Sequence, residues 1–191
     1  MEKREIDPRR NPFYQHASAE LFLAYRRNEP VGRIAAIENR AHNQHWKDRV
    51  GFFGHYECID ETDVSSQLFE AAERWLAGRG LDHVRGPTNP SMNANMGFLV
   101  DGFQHAPTIP MPYTLPYYPD QVGLSGYEKA KDVIVYGWDY ENYSDQHLKA
   151  IHDRAKRVSK LVKKRNQIRI RGPNLKRIRD ELEIIRRICN E

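Results

Sequence analysis

Cysteine is scarce, long apolar runs are missing, and no segment repeats at a solenoid period. The two cysteines, Cys58 in an apolar stretch and Cys189 near the chain end, give neither a disulfide framework nor a zinc pattern, and read as small hydrophobes or a chain-end residue. No run approaches the ~20 apolar residues that a membrane-spanning helix needs. The charged start Met1-Glu2-Lys3-Arg4-Glu5 has no apolar stretch behind it and is not a secretory signal. The expectation is therefore a cytoplasmic chain with no membrane partner. What is present suffices for a core: 39% of the 191 residues are hydrophobic, within the globular range once glycine is counted.

Charge is divided sharply along the chain. Residues 1–145 hold 15 Lys and Arg against 21 Asp and Glu, whereas residues 146–191 hold 15 against 5. A basic tail of this kind can meet nucleic acid, an anionic membrane or an acidic partner, or simply form a solvated helix face. Residues 149–179 lack the aromatics that stack bases, which disfavours nucleic acid.

Hydrophobic spacing predicts the elements. The apolar runs 21–25 and 31–37, joined by a short polar connection, predict an antiparallel hairpin. Residues 38–49 read as a polar loop. A third strand is predicted over 50–59, where alternation sets Val50, Phe52, Gly54, Tyr56 and Cys58 on one face and Phe53, His55 and Glu57 on the other. His55 and Glu57 then share a face. An acidic lead at 60–63 opens a helix predicted over 63–77, with Val64, Leu68, Ala72, Trp75 and Leu76 at helical spacing. A short strand follows at 82–87. Seven of the 11 prolines fall between 87 and 119, and so long a connection reads as a binding loop or lid. A short helix over 120–125 and a strand over 133–140 close the unit. Ser144 caps a basic amphipathic helix reaching about Lys164, 168–171 alternates like a small strand, and Leu175, Ile178, Leu182, Ile185 and Ile188 predict a last amphipathic helix.

Several stretches together resemble the GNAT superfamily of N-acyltransferases, and within it a bacterial group of longer proteins. They are Val31-Gly-Arg-Ile-Ala-Ala-Ile37, Val50-Gly-Phe-Phe-Gly-His-Tyr-Glu-Cys-Ile-Asp60, Ala71-Ala-Glu-Arg-Trp-Leu76, Val84-Arg-Gly-Pro87, Gly97-Phe-Leu-Val-Asp-Gly-Phe103 and Pro116-Tyr-Tyr-Pro119. The resemblance covers Pro12 to Ala130. It implies an α/β (α+β) fold, a mixed and mainly antiparallel sheet flanked by helices, with an incomplete C-terminal strand-helix extension. It also implies three segments: a GNAT-like domain over 1–143 lacking the usual first strand and helices, a basic linker helix over 144–167, and the start of a second GNAT-like half over 168–191.

The same resemblance implies acetyl-CoA or another acyl-CoA as the acyl donor and a small-molecule amine as acceptor. The pantetheine arm would pass Cys58 and Ile59, and the pyrophosphate would meet Ser65 and Ser66 at the start of the helix, where unpaired N–H groups favour anions. The family's glycines in that loop are replaced here by Asp63 and Ser65, and Asp60, Glu61 and Asp63 would repel a pyrophosphate. Glu57, with His55 beside it, stands where a base would take the amine proton, and Tyr118, or its neighbour Tyr117, where an acid would protonate the leaving thiolate. No metal is expected, although His42 and His45 lie three apart. Asn89, Asn93 and Asn95 with Met92 and Met96 read either as pocket lining or as turn residues. The alternative to an enzyme is an inactive GNAT-like binding or assembly module, with self-association or a missing second half engaging 168–191.

Overall fold

A two-residue turn sets the register of the sheet. Strands β1 (Ala17–Arg26) and β2 (Glu29–Asn39) pair antiparallel, and the residues between them, Arg27 and Asn28, both take positive φ (47° and 69°). Positive φ at both positions is what a tight hairpin turn matched to strand twist requires. The connection is thus tighter than the sequence spacing indicated. In this computed structural model, which describes residues 2–91, 93–108, 111–136, 145–166 and 171–190, the chain divides into two units, Met1–Lys131 and Asp132–Glu191.

The first unit opens with a short helix α1 (Glu2–Glu5) and a 3-10 turn (Pro12–Gln15), whose start is capped by the Asn11 side chain accepting from Phe13 N–H. After β2 comes a helix, α2 (Arg40–Trp46), where a polar loop was expected. Its signals are local: Asn39 accepts from His42 N–H at 3.1 Å, and Lys47, at φ 56°, ends the helix in the left-handed region. Strand β3 (Val50–Cys58) pairs antiparallel with β2, helix α3 spans Thr62–Ala77, and β4 (His83–Arg85) pairs parallel with β3. The sheet order is β1-β2-β3-β4. A small hairpin of β5 (Thr88–Asn89) and β6 (Asn95–Met96) and the short helix α4 (Tyr118–Leu124) complete the unit. The fold is mixed α+β, a mainly antiparallel sheet flanked by helices.

Burial follows the helical period of α3. Val64, Ser65, Leu68, Phe69, Ala72 and Leu76 are buried, and this stripe packs with Ile34, Ala36, Phe53, Tyr56 and Cys58 of the sheet. Trp75 is half-buried against the same core, with the Arg79 guanidinium 3.5 Å above its ring. On the other side, Ala35, Ile37, Val50 and Phe52 cluster beneath Phe13 and Ala19, and His42 meets Phe52 edge-on at 5.0 Å. Leu21, Leu23 and Tyr25 of the edge strand β1 are exposed.

Strict alternation does not hold along β3. Arg33 faces Glu57 while Ala35 faces Gly54, so three steps on β3 oppose two on β2, and His55 takes φ 46°. This is a β-bulge, and the extra residue inverts the faces that follow. Tyr56 and Cys58 therefore lie with Phe53 on the α3 side, not with Val50 and Phe52 as alternation predicts.

In the second unit, α5 (Asp145–Asn166) matches the predicted basic helix, and a 3-10 turn (Leu175–Arg177) leads into α6 (Ile178–Asn190). The strand expected over 133–140 is corrected over 133–136, which forms no strand and exposes Val133, Ile134, Val135 and Tyr136. Those residues have strand propensity, but a strand exists only when its edge is paired, and they pair with none among the described residues. Residues 137–140, Ser144 and 168–170 lie outside the described residues, and Arg171 is not in a strand. Among the described residues no helix is long and apolar enough to cross a membrane.

Candidate functional site

The site begins at a close crossing of two backbones. A Cβ on Gly54 would lie 1.7 Å from the Thr88 carbonyl oxygen, so only glycine lets β5 pass this close to β3. The crossing brings the Asn89 side chain to the bulge, where its Oδ1 accepts from His55 N–H at 2.6 Å. The parallel ladder between β3 and β4 covers only Val50–Phe52 against His83–Arg85. Beyond Gly54, among the described residues, the Asn89 side chain bonds the β3 main chain where that ladder has ended.

A cleft of about 480 Å³ opens there, lined by Arg33, His55, Glu57, Asn89, Asn95 and Tyr118, with Met111, Tyr113 and Leu115 among the residues closing it from the proline-rich segment. Thr114 Oγ1 accepts from Leu99 N–H at 2.9 Å and Tyr113 donates to the Phe103 carbonyl at 2.8 Å, which ties that segment to the preceding turn. His55, Glu57 and Tyr118 thus reach one cavity from two distant stretches of the chain. Glu57 is not the buried carboxylate the sequence reading asked of a base: its side chain is 62% exposed, and Oε1 accepts from Arg33 at 2.9 Å. The His55 ring is buried at the cleft wall.

Tyr118 is buried, and burial raises its pKa despite the Cys58 N–H that bonds its oxygen and pulls the other way. A neutral phenol at pH 7 is the form that can give up a proton. Tyr117 is raised by burial as well and donates to the Cys58 carbonyl at 2.9 Å.

The residues expected to hold the acyl donor sit elsewhere. Cys58 is buried, burial raises its thiol pKa, and both its main-chain groups are engaged by Tyr117 and Tyr118. The Ile59 carbonyl accepts from Gln121 Nε2 at 2.8 Å. Ser65 is fully buried: its Oγ lies 2.8 Å from the Tyr56 hydroxyl, which also donates to Gln121 Oε1 at 2.7 Å. Ser66 is half-buried. At the start of α3 Glu61 makes no side-chain cap and pairs with Arg26, which holds its carboxyl below the usual range. The Cys58 N–H and the carbonyls of residues 58 and 59 are thus taken by Tyr117, Tyr118 and Gln121, the Ile59 N–H donates to the Val31 carbonyl at 3.0 Å, and Asp60, Glu61 and Asp63 stand at the start of α3.

Tyr56→Phe tests how firmly α4 is held. It leaves the buried Ser65 and Gln121 without their shared hydroxyl, and a buried polar group without its partner costs about 1–3 kcal/mol. The expected result is a loss of that size in urea unfolding.

Two of the pocket asparagines read from the sequence, Asn89 and Asn95, do line the cleft; Met111 stands there, Met96 is exposed, and Met92 lies outside the described residues. Arg33 was missed, and its signal is register, since it faces Glu57 directly across the β2–β3 pair. His42 lies 3.5 Å from Asp48, and among the described residues no three His, Cys, Asp or Glu side chains form a group suited to a metal ion.

Comparison with curated proteins finds two bacterial relatives. The chain is 40% identical over 135 residues to a bacterial ceramide synthase of Caulobacter vibrioides, a match covering 70% of this chain and 35% of that protein. It is 29% identical over 191 residues to protein YghO of Escherichia coli, covering 100% of this chain and 47% of that protein. The chain spans between a third and a half of the length of these relatives. No protein-family model matches the chain, and no solved structure matches it.

Proposed function

We propose that this chain is part of a GNAT-like N-acyltransferase that takes an acyl group from a thioester such as acyl-CoA and joins it to an amine. The observation that carries the reading is the meeting of His55, Glu57 and Tyr118 around one polar cleft. In this reading Glu57, with His55 beside it, receives the proton of the attacking amine. Tyr118, a phenol that keeps its proton at pH 7, protonates the leaving sulfur. The relative's name supports the class of product. Ceramide is the amide of a long-chain amino alcohol with a fatty acid, so the acceptor proposed here is a long-chain amine. Its polar head would lie among Arg33, Asn89 and Asn95, with Met111 and Leu115 beside the chain.

The test is a thermal-shift titration with acetyl-CoA and longer acyl-CoAs, beside mass spectrometry of mixtures containing a long-chain amino alcohol. A ligand at 100 times its dissociation constant stabilises by about 2.7 kcal/mol, which such a titration detects. Stabilisation together with amide product is the expected result; the absence of both overturns the reading.

A specific observation favours a second reading, a binding module without acyl transfer. Tyr117, Tyr118 and Gln121 take the Cys58 N–H and the carbonyls of residues 58 and 59, the Ile59 N–H goes to the Val31 carbonyl, and Asp60, Glu61 and Asp63 stand at the start of α3. Asp63→Gly separates the two. Removing one like charge near a phosphate is worth about 1 kcal/mol in water, or roughly fivefold in affinity. The catalytic reading expects acetyl-CoA to bind more tightly to the variant in calorimetry. No binding by either protein leaves the second reading standing.

A further inference from the structure

We infer that α5 is a surface-lying helix that docks the protein on an anionic bilayer. Eight Lys and Arg face two Asp along its 22 residues, so its own charge already selects an anionic partner. Its two faces are distinct. Ile151, Ala155, Val158 and Val162, spaced four, three and four apart, form one line along the helix. Lys149, Lys156, Lys160 and Lys163, spaced seven, four and three apart, form another on the opposite side. Among the described residues nothing covers the apolar line, and Ile151 and Val158 are both 51% exposed.

A strongly charged face rich in lysine beside an unpartnered apolar face is the pattern of a helix that lies in the lipid headgroup region, its apolar side sunk toward the acyl chains. Nucleic acid would use the cations but gives the apolar line nothing to cover it, and α5 carries no Phe, Tyr or Trp to stack on bases. α6 makes the contrast. Its three arginines are balanced by three acids, as in the Arg186–Glu183 pair, so it carries no excess of one sign. The lack of a spanning helix concerns crossing a bilayer, and is silent about lying along one.

This inference is independent of the acyl-transfer reading, and its test can fail separately. The whole chain is mixed with vesicles of phosphatidylcholine, alone or with about a third phosphatidylglycerol, and sedimented. The expected result is binding to the anionic vesicles alone, weakened by salt. A cation near such a surface contributes about fivefold in affinity, so the double variant Lys156→Glu/Lys160→Glu is expected to weaken binding at least ~tenfold. Val158→Asp, an exposed position whose change leaves folding intact by circular dichroism, is expected to remove binding as well. The idea is overturned by no sedimentation with anionic vesicles, or by equal binding to neutral ones. Unchanged binding of Val158→Asp also overturns it, since that outcome marks a purely electrostatic contact of the kind a nucleic acid makes. Amide formation from a soluble short-chain amine, unaffected by either variant, keeps the fate of the catalytic reading apart.

Discussion

Gly54→Ala is expected to cost about 3 kcal/mol of stability, the upper range for forcing a methyl group into packed structure. The new Cβ would sit 1.7 Å from a backbone oxygen, not from the flexible end of a side chain, so relief requires β5 to move bodily away from β3. That movement withdraws Asn89 from His55 and opens the cleft wall. Urea unfolding gives the cost, and loss of any cleft ligand should accompany it. Gly123 supplies the control. It lies in α4 with nothing within 4 Å of an added Cβ, and Gly123→Ala is expected to gain ~0.5–1 kcal/mol by restricting the unfolded chain. A Gly54→Ala protein as stable as the parent would show that the crossing of β3 and β5 is wrongly placed.

Glu57→Gln is expected to lower amide-forming turnover by about 10²-fold or more while leaving acceptor affinity nearly unchanged, because a proton acceptor acts on the reacting amine and not on binding. The amide keeps an oxygen for Arg33, so the β2–β3 contact survives and the loss is not one of folding. Arg33→Met completes the comparison by removing the guanidinium and keeping the carboxylate. If turnover follows Arg33 and ignores Glu57, the carboxylate merely positions the arginine, and the proton must leave through His55. Initial rates against acceptor concentration, measured for all three proteins, distinguish these outcomes.

The parts of the fold legible in the sequence were those where one period held without interruption. Val64, Leu68, Ala72 and Leu76 repeat at helical spacing and bury as one stripe, so α3 was found within a residue of its start. Ser65 belongs to that buried stripe with Leu68, Phe69, Ala72 and Leu76, and a wheel including polar residues would have turned it inward; family position alone turned it toward a phosphate. The bulge at His55 was invisible because alternation assumes that every residue takes one step of the ladder. The helix α2 was missed because Arg40–Trp46 is almost wholly polar and short, leaving the cap at Asn39 as its one clear sign. His55, Glu57 and Tyr118 were legible as residue types, but the cleft that gathers them depends on the glycine crossing at residue 54 and on the pairing of Arg33 with Glu57, both of which are tertiary.

The edge strand β1 has a bearing on how this protein behaves as a material. Among the described residues no strand pairs with its outer side, which over ten residues offers a row of main-chain donors and acceptors, with Leu21, Leu23 and Tyr25 exposed on one face and few charges to discourage pairing. Strand edges of this length and character template the addition of a further strand, and the hairpin turn at Arg27-Asn28 holds the template in fixed register. This edge is thus one place where copies of the chain can add to one another, on the face of the sheet turned away from the core that packs beneath α3.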